Sequence, residues 1–505
     1  MAELKINGLR GWLSEVEKIG EVKHITEEVD TYLEMGAINY LNGITPGHPT
    51  LLFEKFKGFP NTSVSVLFNP IGNSLNRLSL ALRLQPGKSP LEIAAYMKDA
   101  FSKKIPPIAI DPINAPIFEN IIEGDDINLF DFPAPTHWPR DGGPFIGTGD
   151  AVVTQDPENG RFNVGTYRQM VSDKNVVTYT CNPGSDTAQD RRKWWAQGKP
   201  CPVVAAYGVD PLLFAYASQR FPANQSEFDY VGGIIGEPVQ VVPGKYTGLP
   251  IPATAEFVIE GFSFPDKTVS EGPFGEYSGY YGRQMDSGAP CIVVKAVYYR
   301  NKPILTAAMM ADKPGANDQS LFWGLMRGAK IWNDLEVNGI PGVTGVWCPP
   351  AAAMGAHMTI VSLKQMHPGH AQQVAAVAAQ CSAGACWCKY IIVVDDDINI
   401  TDMEEVVWAV STRCDPVGNI DFLRNAWSSQ LDPSMPPEDR PFGSKALIIA
   451  TKDYRRIQNY SKRTGMTKET YDQIKAKWQR LGFETPIPIP SFFDAVDETK
   501  EKIYK

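Results

Sequence analysis

The sequence predicts a mixed α/β and β fold, with an α/β part at each end, a β-rich centre and a helix near the C-terminus. Three observations carry this. At 505 residues the chain exceeds the roughly 250–300 residues at which a single core stops growing. Strand-like and helix-like periods alternate at both ends. Between them the pattern gives way to many short strand-like runs, the mark of a barrel or sandwich.

The N-terminal part, residues 1–114, opens with helical spacing over Leu9–Ile19, and the alternation in TSVSVLFNP (62–70) reads as a strand. In SPLEIAAYMKDAF (89–101), Ser89 is an N-cap candidate and Pro90 suits the first helical position, where its missing N–H loses nothing. The Pro-rich IPPIAIDPINAPIF (105–118) reads as a linker or extended crossover. In the centre, residues 115–310, DAVVTQDPENGRFNVGTYRQMV holds two apolar runs separated by Asp-Pro-Glu-Asn-Gly, a hairpin signal. Strand-like runs follow at Asn175–Thr180, Pro202–Tyr207, Val239–Val242, Ala255–Glu260 and Cys291–Tyr298, interrupted by a helical piece over Asp186–Gln197.

Over residues 311–460, Gly345–Trp347, MTIVSL, HAQQVAAVAAQCS, YIIVVDDDI and MEEVVWAVSTR read as strand, strand, helix, strand and helix, the succession of a layered α/β unit. The acids Asp395–Asp397 are expected to end their strand and cap the next helix. The tail, residues 461–505, carries an amphipathic helix, MTKETYDQIKAKWQRLG (466–482), started by Thr467 and ended by Gly482. Its expected use is packing on another domain or subunit.

Hydrophobic residues make up 43% and charged residues 21% of the chain, the balance of a globular protein rather than a disordered or fibrous one. A net charge of −9 argues against a nucleic-acid partner, which leaves a basic footprint. Apolar runs such as Val203–Tyr207 and Tyr390–Val394 fall far short of the ~20 residues of a spanning helix. The charged N-terminus has no apolar signal core, so a cytoplasmic location is expected. Eight cysteines in a chain of this length do not make a disulfide framework. Cys381, Cys386 and Cys388 lack zinc-ribbon spacing and read as reduced thiols packed at the start of a strand. No histidine pair has HxH or HExxH spacing, and there is no GxGxxG, P-loop, GxSxG or CxxC.

Two patterns could carry chemistry. In SEGPFGEYSGYYG, Glu271 and Glu276 stand five apart on a loop made by Gly272, Pro273, Gly275, Gly279 and Gly282. Paired carboxylates push their pKa values apart, leaving one able to hold a proton near neutrality. In NVGTYRQMV, Asn163 offers an oxygen to a hard cation and Arg168 a planar fork to a carboxylate. Residues five apart on a strand face opposite sides unless Gly165 allows a bulge or turn. Asp186 and Glu227 are further oxygen donors whose spacing alone demands no metal.

Taken in order, PAPTHWPRDGGPFIGTG, NVGTYRQMV, SEFDYVGGIIGEPVQVV, EGPFGEYSGYYG and IIVVDDDINI…VVWAVSTRCDP resemble the UbiD decarboxylases, which include polyprenyl-hydroxybenzoate decarboxylase and fungal ferulic acid decarboxylase. The resemblance spans roughly residues 5–485, and EGPFGE combined with Asn-x4-Arg is its most specific part. It implies a central split β-barrel holding prenylated FMN, between an N-terminal α/β domain and a C-terminal α/β domain with a terminal helix used in homo-oligomers, dimer or hexamer. It implies catalysis by Glu271, Arg168 and Glu276. It also implies a divalent metal, Mn2+ or Mg2+, on Asn163, Glu227 and a third ligand, with K+ as a further cation the family allows. The cofactor is expected along Asn163, Gly165, Thr166, Tyr167, Arg168, Ser185, Asp186 and Glu227.

The chain departs from the family pattern where a histidine ligand is expected: the aligned residue is Asp186, an oxygen donor that also suits Mn2+ or Mg2+. Ser185 and Tyr277 differ from the cinnamate enzymes near the expected pocket, as does the loop AAMMADKPGAND (307–318). They point to an aromatic or heteroaromatic acid as substrate, free or as a coenzyme A thioester. Expected partners are that acid, CO2 and a flavin prenyltransferase supplying the cofactor. Two alternatives stay open: a physiological carboxylase, and an inert flavin-binding subunit of a larger assembly.

Overall fold

A computed structural model describes residues 4–222, 224–282 and 285–495, which fall into two units. One comprises Met1–Ala329, Pro349–Ala356 and Gln430–Glu438, and the other Lys330–Cys348, His357–Ser429 and Asp439–Lys505. Several sheets alternate with helices in a mixed α/β architecture.

In the first unit, helix Gly8–Lys18 buries Leu9, Trp12, Leu13 and Val16, the one-face spacing of an amphipathic helix. A four-stranded sheet runs Val22–Ile25, Thr50–Phe53, Ser65–Phe68, Ile304–Ala307, its last strand returning from beyond the central region. Helix Pro90–Ala100 starts as its sequence requires: the Ser89 hydroxyl accepts the Glu92 N–H, and the Glu92 carboxylate accepts the Ser89 N–H. The Pro-rich crossover contributes Ile108–Ala109, a two-residue strand parallel to Gln240–Pro243, and two 3-10 turns.

The centre is a ten-stranded sheet. Its longest member, Met285–Tyr299, pairs with Asn120–Glu123, Val176–Thr178, Phe257–Ser263 and Thr268–Glu271. The expected hairpin is present: Asp150–Gln155 pairs antiparallel with Phe162–Gly165, Val153 opposite Val164. Cys201–Tyr207 lies along the other edge of Asp150–Gln155 and is buried throughout. The core beneath includes Val152, Val203, Ala205, Phe257, Ile259 and Val294.

The second unit holds a five-stranded sheet, ordered Val343–Trp347, Met358–Leu363, Tyr390–Asp395, Phe442–Ala450, Ile420–Trp427, whose three inner strands are parallel. Helices His370–Gln380 and Met403–Arg413 follow its strands, as the alternation predicts. The tail helix is shorter than its sequence suggests. It runs Lys468–Lys475 from an N-cap at Thr467, and a separate 3-10 turn, Gln479–Leu481, ends at the left-handed Gly482.

Asp395 ends strand Tyr390–Asp395 as expected, but the capping role of Asp395–Asp397 needs correction. Asp402, not this run, caps helix Met403–Arg413. Asp395 and Asp397 instead share the Arg413 guanidinium at 2.8 and 2.7 Å, and Lys452 adds a contact to Asp397 at 3.0 Å. Arg413 lies on the last turn of the helix, so the run pairs with the helix's far end. Among the described residues all eight cysteines are free thiols, and no helix is long and apolar enough to cross a membrane.

Removing Arg413 leaves Asp395 buried without its counter-ion, a loss of about 3–5 kcal/mol. Arg413→Ala should therefore lower the denaturant midpoint of the transition that reports the second unit, read by urea unfolding.

Candidate active site

The hairpin sets the geometry. Asn163, Val164 and Gly165 are buried in its second strand, Thr166–Arg168 are half-buried, and pairing resumes at Gln169–Asp173. Asp150 ties this break down: its carbonyl accepts from Thr166 Oγ1 at 2.9 Å and its carboxylate accepts the Tyr167 N–H at 3.1 Å. Gly165 is required here, because a Cβ would lie 2.4 Å from the Tyr167 ring. The chain thus leaves the strand between Asn163 and Arg168, and the two serve separate clusters.

The first cluster joins three of the expected residues. Arg168 Nε donates to Glu271 Oε1 and Nη1 to Glu276 Oε1, both at 2.5 Å. Glu271 is 2% and Glu276 8% exposed, whereas the Arg168 side chain is 21% exposed. Glu271 ends strand Thr268–Glu271, and Glu276 sits on the Gly-rich loop that follows. The loop closes on itself through Glu276 N–H to the Tyr280 carbonyl and Gly282 N–H to the Phe274 carbonyl. Gly282 gives Glu276 its room, since a Cβ there would come within 2.9 Å of the carboxylate. Phe274 lies under the guanidinium, 5.2 Å from ring centre to Cζ, and steadies its plane.

Burial pushes the Glu276 carboxyl above its ordinary value; Arg168 pulls it back, and the charges of Glu271 and Asp141 push it up again. The Arg168 guanidinium is held above its ordinary value, because its two carboxylates outweigh its burial. The arrangement is one fixed cation holding two acids, with burial making Glu276 easier to protonate than an ordinary glutamate.

The second cluster lies on the other side of Gly165. Asn163 Nδ2 donates to Thr187 Oγ1 at 2.7 Å, which turns its carbonyl oxygen away from that bond. Glu227, 2% exposed at the first turn of helix Glu227–Ile235, accepts the Val164 N–H at 2.8 Å. Burial raises its carboxyl to about 8. Asp186 opens helix Asp186–Ala196, and its carboxylate lies 3.3 Å from Arg161 Nη1. Ser185 caps that helix, accepting the Ala188 N–H, and with Thr187 it flanks the buried Tyr167 hydroxyl. Among the described residues no three of histidine, cysteine, aspartate and glutamate converge as a metal group.

Sequence reasoning missed three residues of these clusters. Arg161 stands two before Asn163, on the same face of an extended chain, and its pairing with Asp186 had no sequence signal. Thr187 orients Asn163 from the helix that Asp186 opens. Asp141, in the Asp-Gly-Gly of PAPTHWPRDGGPFIGTG, accepts the Gly275 N–H at 3.0 Å and the Trp138 N–H at 2.9 Å. Its place in that segment was visible, its partner on a distant loop was not.

Known domain models and solved structures match this chain along most of its length. Residues 13–97, 110–314 and 320–450 match, respectively, the N-terminal, Rift-related and C-terminal domain models of 3-octaprenyl-4-hydroxybenzoate carboxy-lyase. The UbiD-class enzyme HmfF from Pelotomaculum thermopropionicum, solved in complex with FMN, is 27% identical with a TM-score of 0.82, over 93% of this chain and 99% of that one. An evolved dimeric form of HmfF, in complex with prFMN, gives 27% and 0.77 over 90% and 96%. The vanillic acid decarboxylase of Sedimentibacter hydroxybenzoicus, in open form, gives 28% and 0.81 over 95% and 100%. With all three domains matched in order across most of its length, the chain belongs to the UbiD family and is a carboxy-lyase of that family.

Proposed function

We propose that the chain catalyses the reversible, non-oxidative decarboxylation of an aromatic or α,β-unsaturated carboxylic acid, using prenylated FMN held in a split β-barrel built from the central sheet. The observation that carries this is Arg168 bonded at once to the buried Glu271 and Glu276. The flavin complexes of HmfF and the substrate of vanillic acid decarboxylase support it.

The residues present suit the cofactor. Thr166–Arg168 form a half-exposed stretch between two buried ones, with the Tyr167 ring packed over Gly165. Asn163 and Glu227 suit a hard divalent cation, Mn2+ or Mg2+: Glu227 is a buried carboxylate that accepts a backbone N–H, and burial raises its carboxyl to about 8. Asp186, as third ligand, would share the cation's neighbourhood with Arg161. Ser185, Thr166 and Tyr167 would line the flavin, and K+ would serve as an accessory cation.

When bound, the prenylated flavin supplies the electron sink that a bare aromatic carboxylate lacks. Arg168 spends Nε and Nη1 on the two glutamates and presents its remaining edge to the substrate carboxylate. Glu271 holds the guanidinium in that plane. As CO2 leaves, Glu276 delivers its proton to the vacated carbon as general acid. In the carboxylation direction the same carboxylate takes that proton away. A flavin prenyltransferase supplies the cofactor, and the working form is a cytoplasmic homo-oligomer, as the dimeric HmfF form suggests.

Glu276→Gln, with cofactor content matched to wild type, should lose at least about 100-fold in turnover across a panel of aromatic acids. Because Glu276 must be protonated to act, wild-type turnover should fall as pH rises through its elevated pKa; a pH profile with no alkaline limb would contradict the role. In protein stripped by chelator, added Mn2+ should raise the melting temperature by mass action, and Glu227→Gln should abolish most of that rise.

A further inference from the structure

Five residues, Trp138 to Gly142, clamp the loop that carries Glu276. The Gly142 N–H donates to the Pro273 carbonyl at 2.9 Å. The Gly275 N–H donates to Asp141 Oδ1 at 3.0 Å, and the Arg140 N–H to the Tyr281 hydroxyl at 3.2 Å. The surfaces meet without slack: a Cβ on Gly142 would lie 2.3 Å from the Gly272 carbonyl, and one on Gly275 would lie 2.2 Å from the Trp138 ring. The clamp is itself fixed, because Trp138 Nε1 donates to the Met310 carbonyl at 3.0 Å and its ring packs edge-on to Tyr40.

Asp141 is the side chain at the centre of this clamp. Its second oxygen accepts the Trp138 N–H, so the carboxylate joins the turn to the loop one residue before Glu276. It also stands within the electrostatic reach of Arg168 and Glu276. The groups acting on Glu276 are therefore Arg168 from the hairpin, Glu271 from the preceding strand and Asp141 from the clamp. One cation faces three acids, and the excess of negative charge favours keeping a proton on one of them.

We propose that Asp141 is a positioning residue for Glu276, holding the Gly275 backbone so that Glu276 meets Arg168 and placing a third acid beside that pair. The proposal rests on the general-acid reading of Glu276.

The test uses full-length protein and two readouts. One is the alkaline limb of the turnover–pH profile of the cofactor-loaded enzyme. The other is the NMR titration of Glu276 in protein labelled with 13C at the glutamate carboxyl, its signal assigned by its loss in Glu276→Gln. Asp141→Asn keeps an acceptor for Gly275 but removes the charge, so both midpoints should move to lower pH. Asp141→Glu keeps the charge but displaces Gly275, so the limb should stay in place while turnover drops at least about tenfold, the scale set by small misplacements of catalytic groups. Midpoints of Asp141→Asn coinciding with wild type would overturn the charge role, and full turnover in Asp141→Glu would overturn the positioning role. If wild type releases CO2 from no acid, the decarboxylase reading fails, and the NMR titration alone still decides whether Asp141 acts on Glu276.

Discussion

Desolvating two carboxylates and a guanidinium costs several kcal/mol per ion, offset only where each charge meets its partner at good geometry. At Arg168 the geometry is good: both glutamates are bonded at 2.5 Å and both are nearly sealed from water. Much of the surrounding sequence serves that constraint. Gly165 lets the chain leave its strand, Phe274 supports the guanidinium face, Gly282 makes room for Glu276, and Asp150 ties down the break before Arg168. What remains is a site in which the Arg168 side chain is still about a fifth exposed.

The second cluster works on a different balance. Glu227 is buried, which raises its carboxyl to about 8, while the Val164 N–H it accepts pulls the other way. Asp186 meets Arg161 instead. A divalent cation brought to this cluster would displace a proton from Glu227 and compete with a guanidinium for Asp186. Metal affinity here should therefore depend on pH more steeply than in a site whose ligands are already ionised.

Much of this was legible in the sequence because it is local. Ser89 and Pro90 announce a helix start through the backbone groups they satisfy or lack, the Asp-Pro-Glu-Asn-Gly turn announces the hairpin, and glycines at Gly272, Gly275, Gly279 and Gly282 announce a loop. The grouping of Arg168 with Glu271 and Glu276 was legible only through resemblance, since no periodicity links residues a hundred positions apart. Features decided by distant partners escaped. Asp395–Asp397 look like helix-capping acids until Arg413, at the other end of that helix, is seen to claim them. Strand Ile420–Trp427 hides because it is a sheet edge with a register shift and exposed apolar side chains, which breaks the alternation. The tail helix stops short of its amphipathic pattern, where propensity continues but burial does not: among its residues only Tyr471 is buried.

The central claim is that this fold holds a prenylated flavin beside Arg168 and a divalent metal at the Asn163–Glu227 cluster. Mass spectrometry of the small molecules released from protein co-produced with a flavin prenyltransferase, with metal analysis of the same sample, tests it most directly. The account predicts prenylated FMN together with about one Mn2+ or Mg2+ per chain, the stoichiometry of a single oxygen-ligated site. Protein that carries neither flavin nor metal under those conditions would contradict it and would make an inert member of the family the better description.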